Sequence, residues 1–158
     1  MTSARWLSAL AAVLACVCAG CAGAGGEAAR IDQSALAGVW GNPAGARLHL
    51  GADRSMTGES LNSAMLGGTQ CPDTAAGHWL FFSTPDDTGS SFADDKFTSG
   101  DYIALPIDDP KASCLLSALI RRDEQGLNLC LVEDPDSDCS VKELLRREPA
   151  TPPGRARN

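Results

Sequence analysis

The sequence contains few of the residues and motifs from which catalytic sites and nucleic-acid interfaces are usually built. It has two histidines, His49 and His78, and neither stands at a recognisable motif spacing from a nucleophile or a carboxylate. It also lacks a Gly-x-Ser-x-Gly elbow and a phosphate-binding loop. Lysine and arginine together number 13 against 20 acidic residues, and the net charge of −7 disfavours binding to phosphate backbones. We therefore predict no catalytic residues, no cofactor and no nucleic-acid partner.

The apolar run near the start of the chain is too short for a membrane-spanning helix. It covers residues 6–17, 12 residues without a charge, whereas a helix needs about 20 residues to cross a bilayer. Arg5 precedes the run and small residues follow it, a pattern typical of a secretory leader. We predict that residues 1–20 are a signal peptide that is removed on export.

The leader ends in the motif Ala19-Gly20-Cys21. This motif resembles the lipobox of bacterial lipoproteins, whose leader is cut just before a cysteine that receives a diacylglyceryl group. The resemblance implies that Cys21 is lipidated and that the protein is anchored to the outer face of the bacterial cytoplasmic membrane. Val13-Leu14-Ala15-Cys16 is a second lipobox-like motif, which would place the lipid on Cys16 instead. An ordinary signal peptide, with release of the protein into the medium, is the remaining alternative.

The cysteine count supports export. Of seven cysteines, Cys16 and Cys18 leave with the leader and Cys21 is taken by the lipid. An even number then remains, which in an exported domain indicates two disulfides. The remaining cysteines are Cys71, Cys114, Cys130 and Cys139. Their separations of 43, 16 and 9 residues contain no C-x-x-C pair, so we predict disulfides and no metal site.

Composition divides the rest of the chain into three parts. Residues 21–30 are rich in glycine and alanine, which predicts a flexible tether, and residues 148–158 form a low-complexity, disordered tail. Between them, residues 31–147 alternate short apolar runs with turn residues, as antiparallel β-strands do. The predicted strands begin at Gly38 and then cover residues 46–50, 54–57, 78–83, 102–107, 114–121, 127–132 and 139–147. A helical turn is predicted within 31–37, and the last segment also fits a short helix.

Strands joined mostly by hairpins favour a closed meander of about eight strands, because closure removes exposed edges. Gly38-Val39-Trp40 at the first strand, with Arg146 and Arg147 at the last, resembles the lipocalin-type arrangement, in which an arginine covers a Gly-x-Trp. The opening residues 38–45 are also similar to those of avidin-type barrels. The spacing along the chain is similar to that of small uncharacterised lipoproteins of GC-rich Gram-positive bacteria. These resemblances imply an all-β, up-and-down, lipocalin-like barrel and no particular activity.

The meander also constrains the disulfides. Adjacent strands favour the pair Cys130–Cys139, which leaves Cys71–Cys114 at the same end of the barrel. Alternation along the strand conflicts with the first pair, because Cys130 points away from Leu129 whereas Cys139 shares a face with Val141. A β-bulge is the expected way to reconcile them.

The leading function from sequence is a non-enzymatic binding or interaction module for a small apolar ligand or an envelope protein. The alternative is a secreted inhibitor or envelope-stability factor that acts through disulfide-braced loops, and an enzyme ranks third. The long loops at residues 59–77 and 84–100 are where binding is expected. Trp40, Trp79 and Phe81 are predicted in the core, and both histidines in solvent. Asp134, Asp136 and Asp138 resemble the start of a calcium loop, but a hairpin turn explains them better.

Overall fold

The computed structural model describes residues 24–64, 71–83, 91–111, 114, 116–132, 136 and 139–149. Within them the chain is almost entirely antiparallel β structure, with one short helix, α1 (Gln33–Leu36), and a 3-10 turn at Leu61–Ser63. The strands are β1 (Glu27–Ala28), β2 (Ile31–Asp32), β3 (Gly38–Gly41), β4 (Arg47–Leu50), β5 (Ser55–Glu59), β6 (Ala75–His78), β7 (Leu80–Phe82), β8 (Ala93–Asp94), β9 (Ser99–Gly100), β10 (Tyr102–Ala104), β11 (Ser117–Asp123), β12 (Gly126–Val132) and β13 (Leu144–Arg147). The predicted helical turn before the first barrel strand is α1.

The main sheet curls round until its first and last strands meet. Strands that follow one another pair from β3 to β6 and from β10 to β13, and β13 then pairs with β3. β6 and β7 are two halves of one bent segment, of which β6 pairs with β5 and β7 with β10. A bridge between Gly77 and Ile107 also joins β6 to the segment that continues β10. With β6 and β7 counted together, eight strands of the described chain form the ring, which confirms the predicted up-and-down barrel.

The hairpin between β11 and β12 and the closing strand β13 together complete the ring. Asp123 pairs with Gly126 across a two-residue turn, and Gly126 has a φ of 110°, which favours glycine. The last segment, left open between helix and strand, is a strand from Leu144 to Arg147. It begins five residues later than predicted, because residues 139–143 turn back over the outside of the barrel before β13 pairs with β12.

Large apolar side chains fill the barrel interior. Trp40, Trp79 and Phe81 are fully buried in one cluster, as the sequence predicts. Alternation in β4 places Leu48 inside, whereas His49 is exposed, and His78 is exposed as well. Other fully buried members of this cluster are Leu36, Leu48, Leu50, Leu61, Ile103, Leu105, Ile120, Leu129 and Leu145.

Trp40 lies at one end of the barrel, where the first and last strands meet. Its indole Nε1 donates a hydrogen bond of 2.9 Å to the carbonyl of Leu36 in α1. The guanidinium of Arg147 lies over the indole, 4.9 Å from the ring centroid, and also donates to the carbonyl of Ala35. Arg146 points elsewhere and pairs with Asp123. Of the two arginines expected near Trp40, Arg147 is therefore the one that covers it.

Residues 24–28, which we call the strap, lie across the outside of β11 and β12. β1 pairs with β11, and the buried amide of Asn128 donates a hydrogen bond of 3.0 Å to the carbonyl of Gly25. Gly26, with a φ of 81°, packs so closely that a Cβ there would lie 2.2 Å from the carbonyl oxygen of Arg122. The flexible tether predicted for residues 21–30 is therefore incorrect for its described part, since glycine here provides close packing and not freedom.

The structure describes only the first two residues of the predicted C-terminal tail, Glu148 and Pro149. Glu148, assigned from sequence to the disordered tail, accepts a hydrogen bond of 3.0 Å from Nε of Arg47 on β4. Its backbone N–H also donates to the carbonyl of Val39, so this residue continues the barrel. The remainder of the predicted tail, residues 150–158, lies outside the described residues, as do the predicted leader and Cys21.

Candidate functional site

The barrel carries an unexpected row of apolar side chains on its outer face. Tyr102 is in register with Leu119, Leu119 with Cys130, and Cys130 with Leu144, so the row crosses β10 to β13. Phe82 on β7 extends it, because its ring stacks on that of Tyr102 with centroids 4.3 Å apart. An antiparallel sheet usually presents polar residues on the face away from its core. This outer row therefore requires a cover.

One half of the outer row is covered by the chain itself. Cys130 is fully buried, and it packs with Val132, Cys139 and Leu144 in a second, smaller cluster. Ala24 of the strap packs against the same cluster. The disulfide Cys130–Cys139, with Cα atoms 6.0 Å apart, holds residues 139–143 in place over it. The covered half is a small second core outside the barrel.

The described residues leave the other half of the row open, and it forms the floor of a groove. Phe82, Tyr102 and Leu119 are each half-buried. The main lobe of the groove has a volume of about 590 Å³, and a second lobe of about 250 Å³ shares Phe82 and Tyr102 with it. We call the two lobes together the outer groove. The main lobe is lined by Phe82, Ser91, Tyr102, Ala104, Leu105, Pro106, Cys114, Leu116, Ser117 and Asp136.

The outer groove combines its apolar side chains with a few polar and charged groups. Asp136 borders the main lobe, and the second lobe is bordered by Asp101, Arg121 and Ala28 of the strap. Arg121 is held by its hydrogen bond of 3.1 Å to the carbonyl of Gly26. A mostly apolar lining with a few polar groups is typical of small-molecule sites.

An ion pair fixes the hairpin at the end of β11. Nη2 of Arg146 lies 2.5 Å from Oδ2 of Asp123, and Nη1 of the same arginine lies 3.1 Å from Oδ1. The hydrogen bonds from Arg146 hold the pKa of the Asp123 carboxyl below its ordinary value, and they raise the pKa of Arg146. Asp123 also lies 3.3 Å from Nδ2 of Asn128, which links the ion pair to the strap.

The four cysteines stand in the two pairs expected from the strand order. Cys71 pairs with Cys114, with Cα atoms 4.9 Å apart, and Cys130 pairs with Cys139. The register from β11 to β13 runs through Cys130 without a bulge. The expected bulge is therefore wrong: Cys139 precedes β13, so strand alternation does not govern where its side chain points. Cys114 also lines the outer groove, so the first disulfide braces one wall.

One group among the described residues has ligand atoms close enough to surround a metal ion. Its members are Cys130, Cys139 and Glu143, whose ligand atoms lie within 4.8 Å of one another. The two sulfurs are bonded to each other, so neither is the thiolate that a metal would require. Glu143 instead accepts a hydrogen bond of 2.7 Å from the backbone of Ser140. The disulfide and this hydrogen bond stabilise the turn at residues 139–143.

The residues considered for other chemistry do not converge on the groove. His78 lies 3.6 Å from Asp108, but both side chains are at least half exposed. His49 lines a separate shallow pocket beside Arg47 and Glu59. Of the suggested calcium loop, Asp136 borders the outer groove, whereas the other two aspartates lie outside the described residues.

Sequence reasoning expected binding in the long loops, of which 84–100 contributes Ser91 to the outer groove, but it missed the sheet face that forms the floor. Leu61, near the start of the first of these loops, is fully buried in the barrel core, and Met56 on β5 is buried as well. The groove had one sequence signal, the consecutive pair Phe81-Phe82. Adjacent residues of a strand point to opposite faces, so two neighbouring large apolar residues indicate that both faces are covered.

Comparison with known proteins yields no family for this chain. No protein-family model, curated protein or solved structure matches it. Among the residues that the structure describes, no helix combines the length and apolar character required to cross a membrane. The function must be argued from the geometry alone.

Proposed function

We propose that the protein is an exported, lipid-anchored, non-enzymatic binding module that holds a small apolar molecule in the outer groove. The observation that carries the proposal is the half of the outer row that the described residues leave uncovered, where Phe82 and Tyr102 stack beside Ala104. The main lobe, at about 590 Å³, lies within the range of about 300–1,000 Å³ that is usual for ligand pockets. An apolar ligand there would remove the exposed rings from water.

The filled interior supports a site outside the barrel. An eight-stranded barrel either packs its interior with side chains or holds one small ligand there. Trp40, Trp79 and Phe81 occupy the interior of this barrel, each fully buried. A ligand therefore has an apolar surface available on the outer face, at β7, β10 and β11, that the interior does not provide.

The proposed location is the outer face of the bacterial cytoplasmic membrane, with Cys21 as the lipidated residue. The support is the lipobox-like Ala19-Gly20-Cys21 and the two disulfides, which suit an oxidising compartment. Labelling with a palmitate analogue should be lost in Cys21→Ser and kept in Cys16→Ser. The reverse result would move the lipid to Cys16, and labelling of neither wild type nor variants would indicate a secreted protein.

The groove is tested with a neutral fluorescent probe, N-phenyl-1-naphthylamine, which brightens in apolar sites. Ala104→Arg places a charged side chain on the groove floor without altering the core, because Ala104 points outward. We expect the fluorescence gain to be lost in this variant. Thr57→Arg, an equally bulky change at an exposed position of β5, is the matched control and should keep it.

Thermal unfolding of both variants checks that the barrel is intact. If Ala104→Arg binds the probe as wild type does, the outer groove is not the site. If the probe brightens with neither wild type nor control, small apolar ligands are excluded. The alternative of an inhibitor or envelope-stability factor acting through a disulfide-braced loop would then take first place.

A further inference from the structure

A rigid, exposed turn projects from the covered half of the outer row. Residues 140–143, which we call the docking turn, follow Cys139 and precede β13. Val141 at its tip is 75% exposed, the most exposed large apolar side chain among the described residues. Lys142 beside it is exposed as well. Isolated exposed apolar residues are common. Val141 differs because it lies in a turn whose conformation is fixed by several contacts.

One disulfide and several hydrogen bonds fix the docking turn. The disulfide to Cys130 anchors its start. Ser140 donates its backbone N–H to the side chain of Glu143, and Glu143 donates its own backbone N–H to the carbonyl of Ser140, at 3.1 Å. The side-chain amide of Asn42, the residue after β3, donates a hydrogen bond of 2.7 Å to the carbonyl of Lys142. The tip is therefore presented in one orientation.

The strap places the N-terminal end of the described chain at the same cluster. Ala24 packs against the cluster that contains Cys139 and Leu144. Cys21 is three residues before Ala24, so their Cα atoms are at most ~11 Å apart. Asn128 and Arg121 hold the strap in place through the carbonyls of Gly25 and Gly26. The distance limit for Cys21 is therefore set by the fixed position of Ala24.

We infer that the docking turn contacts the lipid bilayer and holds the barrel in a fixed orientation on the membrane. The inference rests on the proposed lipid anchor at Cys21. An acylated Cys21 would bring the bilayer surface close to Ala24, and the docking turn belongs to the same side of the barrel. Val141 then enters the interfacial region, and Lys142 lies against anionic headgroups.

The experiment uses the full acylated protein on vesicles of phosphatidylglycerol and brominated phosphatidylcholine, whose bromines quench tryptophan at short range. Val141→Trp puts the reporter at the tip of the docking turn. Thr57→Trp is the matched control, because β5 lies across the barrel from β12. Trp40 and Trp79 are fully buried and contribute the same background to both variants. We expect a larger loss of fluorescence in Val141→Trp than in Thr57→Trp.

Vesicle flotation separates the two ways in which the inference can fail. If the wild-type protein does not float with the vesicles, the anchor is absent and the docking falls with it. If it floats but the two tryptophan variants are quenched equally, the anchor stands and fixed docking is overturned. Hydrogen exchange of the unsubstituted protein provides a second measurement. Protection of residues 139–143 on vesicles, lost after Cys21→Ser, supports docking, and unchanged exchange contradicts it.

Discussion

The guanidinium of Arg147 lies 4.9 Å above the ring of Trp40, so the last strand of the barrel covers the first. The two residues are also register partners between β13 and β3. Closure of the ring depends on this pairing of strands that are more than a hundred residues apart in sequence. A long-range junction of this kind offers a direct test of how the barrel is stabilised.

Arg147→Ala should lower the free energy of unfolding by about 1–2 kcal/mol, because it removes a cation–π contact and a charge-assisted hydrogen bond to Ala35. Urea unfolding followed by tryptophan fluorescence measures the change. Arg122→Ala, at an exposed position of β11, is the control and should change stability much less. Equal losses in both variants would show that Arg147 adds nothing specific at the junction.

Substitution of Phe81 should mainly reduce stability, whereas substitution of its neighbour Phe82 should mainly reduce binding. Phe81 is fully buried inside the barrel, so Phe81→Ala should cost about 3–5 kcal/mol. Phe82 is half-buried on the outside, and Phe82→Ala should cost only about 1 kcal/mol through its lost stacking on Tyr102. Probe titration should show weakened binding in Phe82→Ala. A large stability loss without a binding defect there would contradict the assignment of the outer groove.

The ion pair of Asp123 with Arg146 should make stability depend on pH. Because Arg146 lowers the pKa of the folded Asp123 carboxyl, the ion pair is fully stabilising above the unfolded value of about 4. This stabilisation is lost as the pH falls from about 4 through the pKa of the Asp123 carboxyl in the folded protein. Asp123→Asn should therefore have a lower melting temperature than wild type at pH 6, with the gap narrowing below about pH 4. Asp32→Asn, at an exposed position, is the control. A gap independent of pH would rule out the ion pair as its cause.

The disulfide pairing can be tested directly. Peptide mapping without reduction should return Cys71 linked to Cys114 and Cys130 linked to Cys139. The double change of Cys71 and Cys114 to Ala should lower the unfolding free energy by about 4 kcal/mol, since this bridge closes a loop of 43 residues. Urea unfolding measures the loss. The Cys130–Cys139 bridge should persist in that variant. Any other pairing in the peptide map of the wild-type protein would contradict the fold around the outer row.

Local patterns in the sequence were sufficient to predict the barrel. Alternation in residues 46–50 and 127–132 gives each strand an inward face, and Asp123 to Gly126 has the residues of a tight turn. These signals depend only on neighbours along the chain. The late start of β13 was not predictable from them, because apolar Val141 looks like a strand residue although the turn that carries it points into solvent.

The candidate site was less predictable, because its cause is contact between distant segments. The strap is composed of residues that usually form linkers, and its order comes from Asn128, about a hundred residues further along. The outer row becomes visible only when β10 to β13 are in register, since each strand contributes a single member. The disulfide pair Cys130–Cys139 was predicted from strand order, but its role in covering half of that row was not.

The strap has a consequence for the order of events during synthesis. Its partners, Arg121, Arg122 and Asn128, are made about a hundred residues after it, so the strap of a chain emerging from the ribosome has nothing to bind. Contacts at such separation form late in folding. Until they form, residues 24–28 lack the partners that hold them in the finished barrel. The β11–β12 hairpin must therefore form before the strap can bind, so the first described strand of the chain joins the barrel after one of its last hairpins.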